Sequence, residues 1–195
     1  MTFYRNIKYS IPILIISLIC TNVYSQTDTE FWFAAPEVSS NHGDLPIYLR
    51  ISSLNKTAHI IIEQPANPNF TSISTSVPAN ETLTIDLSPW LEEIENFPYQ
   101  TRLNKGLHIL SDVLISVYYE IANQENPEIF PLKGENALGT IFFIPGQSDH
   151  PNTWGNESVN IVAVEDETII TITPSIDIEN HAAGIPFEIE LNKGE

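Results

Sequence analysis

The sequence predicts a mainly β protein, an antiparallel β-sandwich-like unit followed by a second, incomplete β unit, with one short helix. Three observations carry that expectation. Apolar and polar residues alternate in run after run, as at Ile47, Leu49 and Ile51 or at Phe187, Ile189 and Leu191, which is the period of a strand with one buried face. Fourteen prolines and eight glycines punctuate those runs too often for long helices. A strand-turn-strand phrase also recurs late in the chain, so one supersecondary unit is used twice.

The first 25 residues read as a secretory leader. Arg5 and Lys8 form its basic start, Ile11 to Cys20 its apolar core, and Val23-Tyr24-Ser25 a site for cleavage after Ser25. The apolar core is about half as long as a membrane-spanning helix needs. Bulky Ile19 before Cys20 argues against lipid attachment. Cleavage removes two of the eight Lys and Arg, the single Cys, and none of the 25 Asp and Glu. The exported chain is then acidic and free of cysteine, so packing rather than disulfides must hold it. Nucleic acid and anionic lipid both demand clustered basic residues, so neither is an expected partner, and no membrane insertion follows cleavage.

In chain order, Gln26 to Pro36 carries Phe31, Trp32 and Phe33 in succession. Three neighbours cannot share one face of a strand, so at least one is expected at an edge or a contact. Leu45 to Ser52 alternates as a half-buried strand, and the turn Leu54-Asn55-Lys56 leads to a second run, Thr57 to Gln64; the two are expected to pair as a hairpin. Pro65 to Pro68 interrupts the ladder, and Phe70 to Val77 resumes it with Thr71, Ile73, Thr75 and Val77 on one face. Leu83, Ile85 and Leu87 then face inward from Glu81 to Leu87. Ser88-Pro89 reads as an N-cap and first turn, with Glu92 and Glu93 near the positive end of a short helix running to Ile94. Gly106 to Ser111 and Val113 to Ile121 read as two strands, and Thr140 to Ile144 as another.

Ser158 to Pro174 reads as a hairpin about the acidic turn Glu165-Asp166-Glu167, its arms carrying Val159, Ile161 and Ala163, then Ile170 and Ile172. The stretch from Thr168 to the last residue, Glu195, echoes Thr57 to Glu81: a strand ending in proline, a polar loop, another strand. In the earlier copy Glu81 opens a further strand, whereas Glu195 is the final residue. The expected division is therefore a leader at 1–25, a first β-sandwich-like unit at 26–135 and a C-terminally truncated second unit at 136–195.

Chemistry has few anchors. His59, His108, His150 and His181 lack partners at metal-binding spacings, and Glu92-Glu93 point about 100° apart on a helix, unlike an acid and base pair. No nucleophile motif or phosphate-binding glycine loop is present, so the chain is not expected to be an enzyme. The loop Ser148 to Glu157 reads either as an ordinary connection or as a contact site. Asp149, Asn152, Asn156 and Glu157 supply oxygens for a hard cation such as Ca2+, and Trp154 supplies a face on which a sugar or aromatic group can stack. No metal site or cofactor is otherwise expected.

Four phrases together resemble the IgGFc-binding protein N-terminal domain family: TEFWFAAP at Thr29 to Pro36, PLKGENALG within Glu128 to Gln147, VAVEDETIITITP, and the terminal ELNKGE. The resemblance runs over most of the chain after the leader. It is nearest to bacterial versions found at the front of large surface proteins, often upstream of PKD-type repeats and a gliding-motility sorting domain. In that family LNKGE runs on into an aromatic-containing strand, which agrees with truncation. The resemblance brings no catalytic residues. It implies a non-enzymatic extracellular adhesion or interaction module at the N-terminus of a secreted or cell-surface protein, with a protein or glycan ligand. The alternative is a carbohydrate-binding or carbohydrate-acting domain using the loop at 148–157.

Overall fold

The computed structural model describes residues 26–38, 43, 45–124, 127–146 and 157–195. Within them lie β1 (Asp28–Phe33), β2 (Ile47–Ser53), β3 (Ala58–Glu63), β4 (Ile73–Val77), β5 (Thr82–Asp86), α1 (Leu91–Ile94), β6 (Leu107–Ile121), β7 (Glu128–Pro131), β8 (Thr168–Ile172) and β9 (Phe187–Leu191). The protein is mainly β, with a large antiparallel sheet of seven strands and a small one made by β8 and β9. Residues 1–25, read from sequence as a leader, lie outside the described residues.

One strand organises the large sheet. The sequence suggests a break at Ser111-Asp112, but β6 runs unbroken for 15 residues. Asp112 does not end it, because its carboxylate accepts the backbone N–H of His59 at 2.8 Å and so serves the neighbouring strand. Odd-numbered side chains of β6 point inward: Leu107, Ile109, Ile115, Val117, Tyr119 and Ile121 are all buried. Ile115 faces Asp28 of β1 across one edge and Ser53 of β2 across the other. Along the second edge β3 pairs with Glu63↔His108 to Ile60↔Ser111, and β2 with Ser53↔Ile115 to Ile47↔Ile121. Along the first edge β1 comes first and β7 follows at residues 118–121.

This register corrects the expected hairpin. β2 and β3 both run antiparallel to β6, so they point the same way and do not pair with each other. The stretch Leu54-Asn55-Lys56 is looped out of the ladder opposite Asp112 to Leu114 and does not reverse the chain. β5 then adds outside β2, and β4 outside β3. The two halves share β6, and their inward residues from β2, β3, β6 and β1 join in one core that includes Ile47, Leu49, Ile51, Ile60, Ile62 and Phe31.

α1 closes this core with Ile94, while Leu87 is buried just before it. Ser88 does not cap the helix as expected. It opens a 3-10 turn at Ser88–Trp90, and its Oγ accepts the Ile47 N–H at 3.0 Å, while Asp86 Oδ1 accepts the N–H of Ser88 at 2.9 Å. The far end of α1 is held by Lys105, whose Nζ donates to the carbonyls of Glu95 at 2.8 Å and Phe97 at 3.1 Å, a cation on the carbonyl-rich end of a helix. Buried Gln64 donates to the carbonyls of Glu93 at 2.7 Å and Lys105 at 3.1 Å, and accepts from Asn67 at 2.8 Å. Its amide is thereby satisfied on both sides, as a buried amide must be.

Two further expectations are corrected. Residues 158–163 form no strand, and β8 pairs with β9, from Thr168↔Leu191 to Ile172↔Phe187, instead of with a preceding arm. β8 and β9 repeat the β3–β4 arrangement, a strand joined by a long loop to an antiparallel partner. Thr140 to Ile144 belongs to no sheet and has no regular secondary structure, whereas Glu128–Pro131, not singled out in the sequence, is strand β7. Alternation shows that a segment can be half-buried, and a neighbouring edge with free N–H and C=O groups decides whether it becomes a strand.

The turn after β9 docks against the large sheet through glycine. Gly106 N–H donates to the Gly194 carbonyl at 3.1 Å, and Gly194 N–H to the Ala163 carbonyl at 2.8 Å. A Cβ at Gly106 would lie 2.6 Å from Val162 Cγ2 and 2.8 Å from the Gly194 oxygen, and Gly194 has φ +82°. Gly106→Ala is expected to push this turn off the sheet without unfolding β1 to β7. Amide exchange at Gly194 should accelerate by about tenfold or more while exchange in β6 stays slow.

Candidate functional site

β1 presents its two sides to different surroundings, and each side builds a cluster. Phe31 is buried, paired in register with Ile109, and Phe33 lies over the edge of the core. The Phe33 ring sits 4.8 Å from that of Tyr119 and 5.9 Å from that of Phe130, centroid to centroid. Beyond these rings opens a groove of about 460 Å3, lined by Phe33, Pro36, Val38 and Phe130 and edged by Glu37, Glu128, Ser158 and Asn160. It is an aromatic floor with an acidic rim.

The rim is positioned from below. The Asn96 side-chain amide donates to Asn160 Oδ1 at 3.2 Å, its backbone N–H donates to the Ala35 carbonyl at 3.1 Å, and Ala35 bridges in parallel to Glu95. Tyr99 OH donates to the Glu37 carboxylate. That bond, with burial and the nearby charges of Glu37 and Glu95, pushes the Tyr99 phenol up to about 12. A raised phenol stabilises the fold while it keeps its proton, so the contribution is complete below the ordinary value of 10 and is lost as pH rises through about 12.

On the other side of β1, Trp32 stacks on His108 with ring centroids 3.9 Å apart and planes 13° from parallel. His108, 5% exposed, has Nδ1 at 3.0 Å from Glu63 Oε1 and Nε2 at 2.9 Å from Glu30 Oε1. Carboxylates only accept, so both contacts are hydrogen bonds when the ring carries a proton on each nitrogen. Trp32 Nε1 also donates to Glu30 at 3.0 Å, and Lys193 Nζ lies over the Trp32 ring at 5.4 Å from its centroid. The resulting stack, cation on indole on imidazole, ties the turn after β9 to β1, β6 and β3. Burial alone would raise the Glu30 carboxyl. The hydrogen bonds from Trp32 and His108 and the charges of His108 and Lys193 outweigh burial and hold it below its ordinary value.

Trp154, Asp149, Asn152 and Asn156, the ligand-binding residues expected from sequence, lie outside the described residues, as does His150. His59 is exposed on β3, and His181 stacks on Phe187 at 3.5 Å. Among the described residues, no group of three or more His, Cys, Asp and Glu is placed to hold a metal ion. No helix there is long and apolar enough to cross a membrane. His108 reads from sequence as a satisfied histidine within a strand, as the structure has it, whereas its carboxylate partners and the groove were not singled out. The one available signal was the aromatic triplet at 31–33, and its consequence, that not all three can be core, is observed: Phe31 is buried, while Trp32 and Phe33 are only partly so.

Residues 130–195 match the model of a family described as IgGFc binding protein. The matched stretch contains the PLKGENALG, VAVEDETIITITP and ELNKGE phrases, and the aromatic opener at Thr29 to Pro36 lies outside it. No curated protein and no solved structure matches the chain. Phe130, Ser158 and Asn160 of the groove fall inside the matched stretch.

Two outcomes follow from these contacts. In a spectrophotometric titration one tyrosine should ionise near pH 12, and this late phase should vanish in Tyr99→Phe and move toward pH 10 in Glu37→Gln. His108→Phe keeps a ring against Trp32 but leaves two carboxylates without their donor, and is expected to lower stability by about 1–3 kcal/mol in urea unfolding at neutral pH. A depressed carboxyl stabilises the fold above its ordinary pKa of 4.5 and loses that contribution as pH falls through its lowered folded value. The gap between wild type and His108→Phe should therefore narrow in acid.

Proposed function

We propose that the chain is a non-enzymatic binding module of an extracellular surface, taking a protein ligand in the groove between β1, β7 and residues 158–160. The observation that carries this reading is that the groove meets the family match at Phe130, Ser158 and Asn160. The chemistry fits a protein partner. Half-buried aromatic rings at an edge supply contact area at little entropic cost, and the carboxylates of Glu37 and Glu128 select an apolar segment flanked by Lys or Arg. The formal net charge of −17 adds long-range attraction for a basic surface and repels acidic ones.

The finer parts of the proposal rest on the leader and the family phrases. The module is exported through residues 1–25, stands at the front of a longer cell-surface protein, and serves adhesion there; its boundary near residue 135 separates two β units. Immunoglobulin Fc, named in the family's description, is the first ligand to try.

The test is surface binding of the chain to immobilised Fc and to a panel of basic extracellular proteins at several salt concentrations. Glu128→Lys, at the exposed rim, should weaken a productive interaction by about tenfold and flatten its salt dependence. Phe130→Ala should weaken it further with the far-UV spectrum retained. Binding indifferent to both changes would remove the groove as the ligand site.

A further inference from the structure

The groove has two walls of different origin. Phe33, Pro36, Val38 and Phe130 belong to β1, to the residues just after it and to β7, all carried by the large sheet, whereas Ser158 and Asn160 lie on the segment that leads into β8. That segment forms no strand, so it is held by its neighbours. At one end Asn160 accepts from the Asn96 amide at 3.2 Å. At the other, Ala163 donates to the Glu195 carbonyl at 3.1 Å and accepts from the Gly194 N–H at 2.8 Å, so the turn after β9 fixes it on both sides. The second wall is therefore built onto the β8–β9 unit.

This unit sits lightly on the large sheet. Its turn is held by the Gly106 N–H on the Gly194 carbonyl at 3.1 Å and by Lys193 over the Trp32 ring. Arg102, half exposed, adds a contact to Glu195 at 3.7 Å and a bond to the Glu190 carbonyl at 3.2 Å. Ala163 and Leu191 are buried, yet neither joins the core of the large sheet. Among the described residues β8 and β9 pair only with each other, and a two-stranded ribbon is marginal by itself. Units joined by a small, polar contact are expected to move relative to one another.

We infer that docking of the β8–β9 unit opens and closes the groove: when the turn at 192–195 leaves Gly106, Ser158 and Asn160 leave with it, and a ligand touching both walls holds the unit in place. Ligand control of the docking rests on the groove being the binding site proposed above, whereas the coupling of wall and turn is a property of the chain alone. The coupling is reciprocal, so whatever loosens the turn weakens the ligand, and the ligand protects the turn.

Amide exchange followed by NMR tests the coupling without a ligand. Asn160→Ala removes the bond to Asn96 and leaves the turn's own hydrogen bonds in place. Exchange at Ala163 and Gly194 should nevertheless accelerate by about fivefold, the equivalent of one lost hydrogen bond, while exchange in β6 stays slow. Conversely, Gly106→Ala displaces the turn and should release the Asn96 side-chain amide to solvent. Saturating immunoglobulin Fc should slow exchange at Ala163 and Gly194 by about tenfold or more, because a ligand spanning both walls binds only the docked unit. Gly194 exchange unaltered by Asn160→Ala, an Asn96 amide still protected in Gly106→Ala, or Fc bound through Phe130 with Ala163 and Gly194 exchanging as before would each overturn the inference. Absence of any Fc binding would count against the ligand reading of the groove, and the two substitutions would still decide the coupling.

Discussion

Everything in the larger sheet depends on the continuity of β6. Four strands pair with this one segment, two along each edge, and its odd-numbered side chains supply much of the core they enclose. Such a strand must stay apolar on one face for its whole length while its other face carries polar groups that neighbours can use. His108, Asp112 and Glu120 do this, bonding to residues of β1 and β3, to the backbone of β3, and to Arg50 of β2 respectively. The polar interruption at Ser111-Asp112 is thus the hinge of the pairing scheme, where β3 gives way to β2 along one edge. Removing the carboxylate at 112 would leave a strand-end N–H without its acceptor.

The chain is rich in acid, and four of its bases are committed internally. Lys105 holds the end of α1, Arg50 binds Glu120 and Thr84, Arg102 reaches Glu195 and the Glu190 carbonyl, and Lys193 covers Trp32. Acidic residues are used differently. Glu30, Glu37 and Glu63 are fixed by donors at the edges of clusters, where one oxygen is bonded and the carboxylate still faces outward. The negative field is therefore structured around the groove and the Trp32 stack, and its cost in self-repulsion falls on the whole fold.

Much of the local structure was legible in the sequence. Alternation at Ile47, Leu49 and Ile51, at Leu83 and Ile85, and at Phe187, Ile189 and Leu191 correctly marks strands and their inward faces, because period 2 follows from the pleat itself. Pairing was not legible. Nearness in sequence suggested that β2 pairs with β3 and that residues 158–163 pair with β8, whereas real partners are set by edges brought together from far away. The same holds for the site. Glu30 and His108 are 78 positions apart, and Phe33 meets Phe130 only because β1 and β7 follow one another along the same edge of β6.

The sharing of β6 also imposes an order on folding. As the chain is made from its N-terminus, residues up to about 106 can form only two ribbons, β2 with β5 and β3 with β4, and a two-stranded ribbon is marginal in water. β1 has no partner at all until β6 emerges, and then must close a loop of more than 70 residues to reach it. Nucleation is therefore late and dominated by non-local contacts, the regime of slow folding with apolar edges uncovered meanwhile. A chain of this design gains from being held unfolded until β6 is complete, and its folding rate should respond more to substitutions in β6 than to any in β4 or β5.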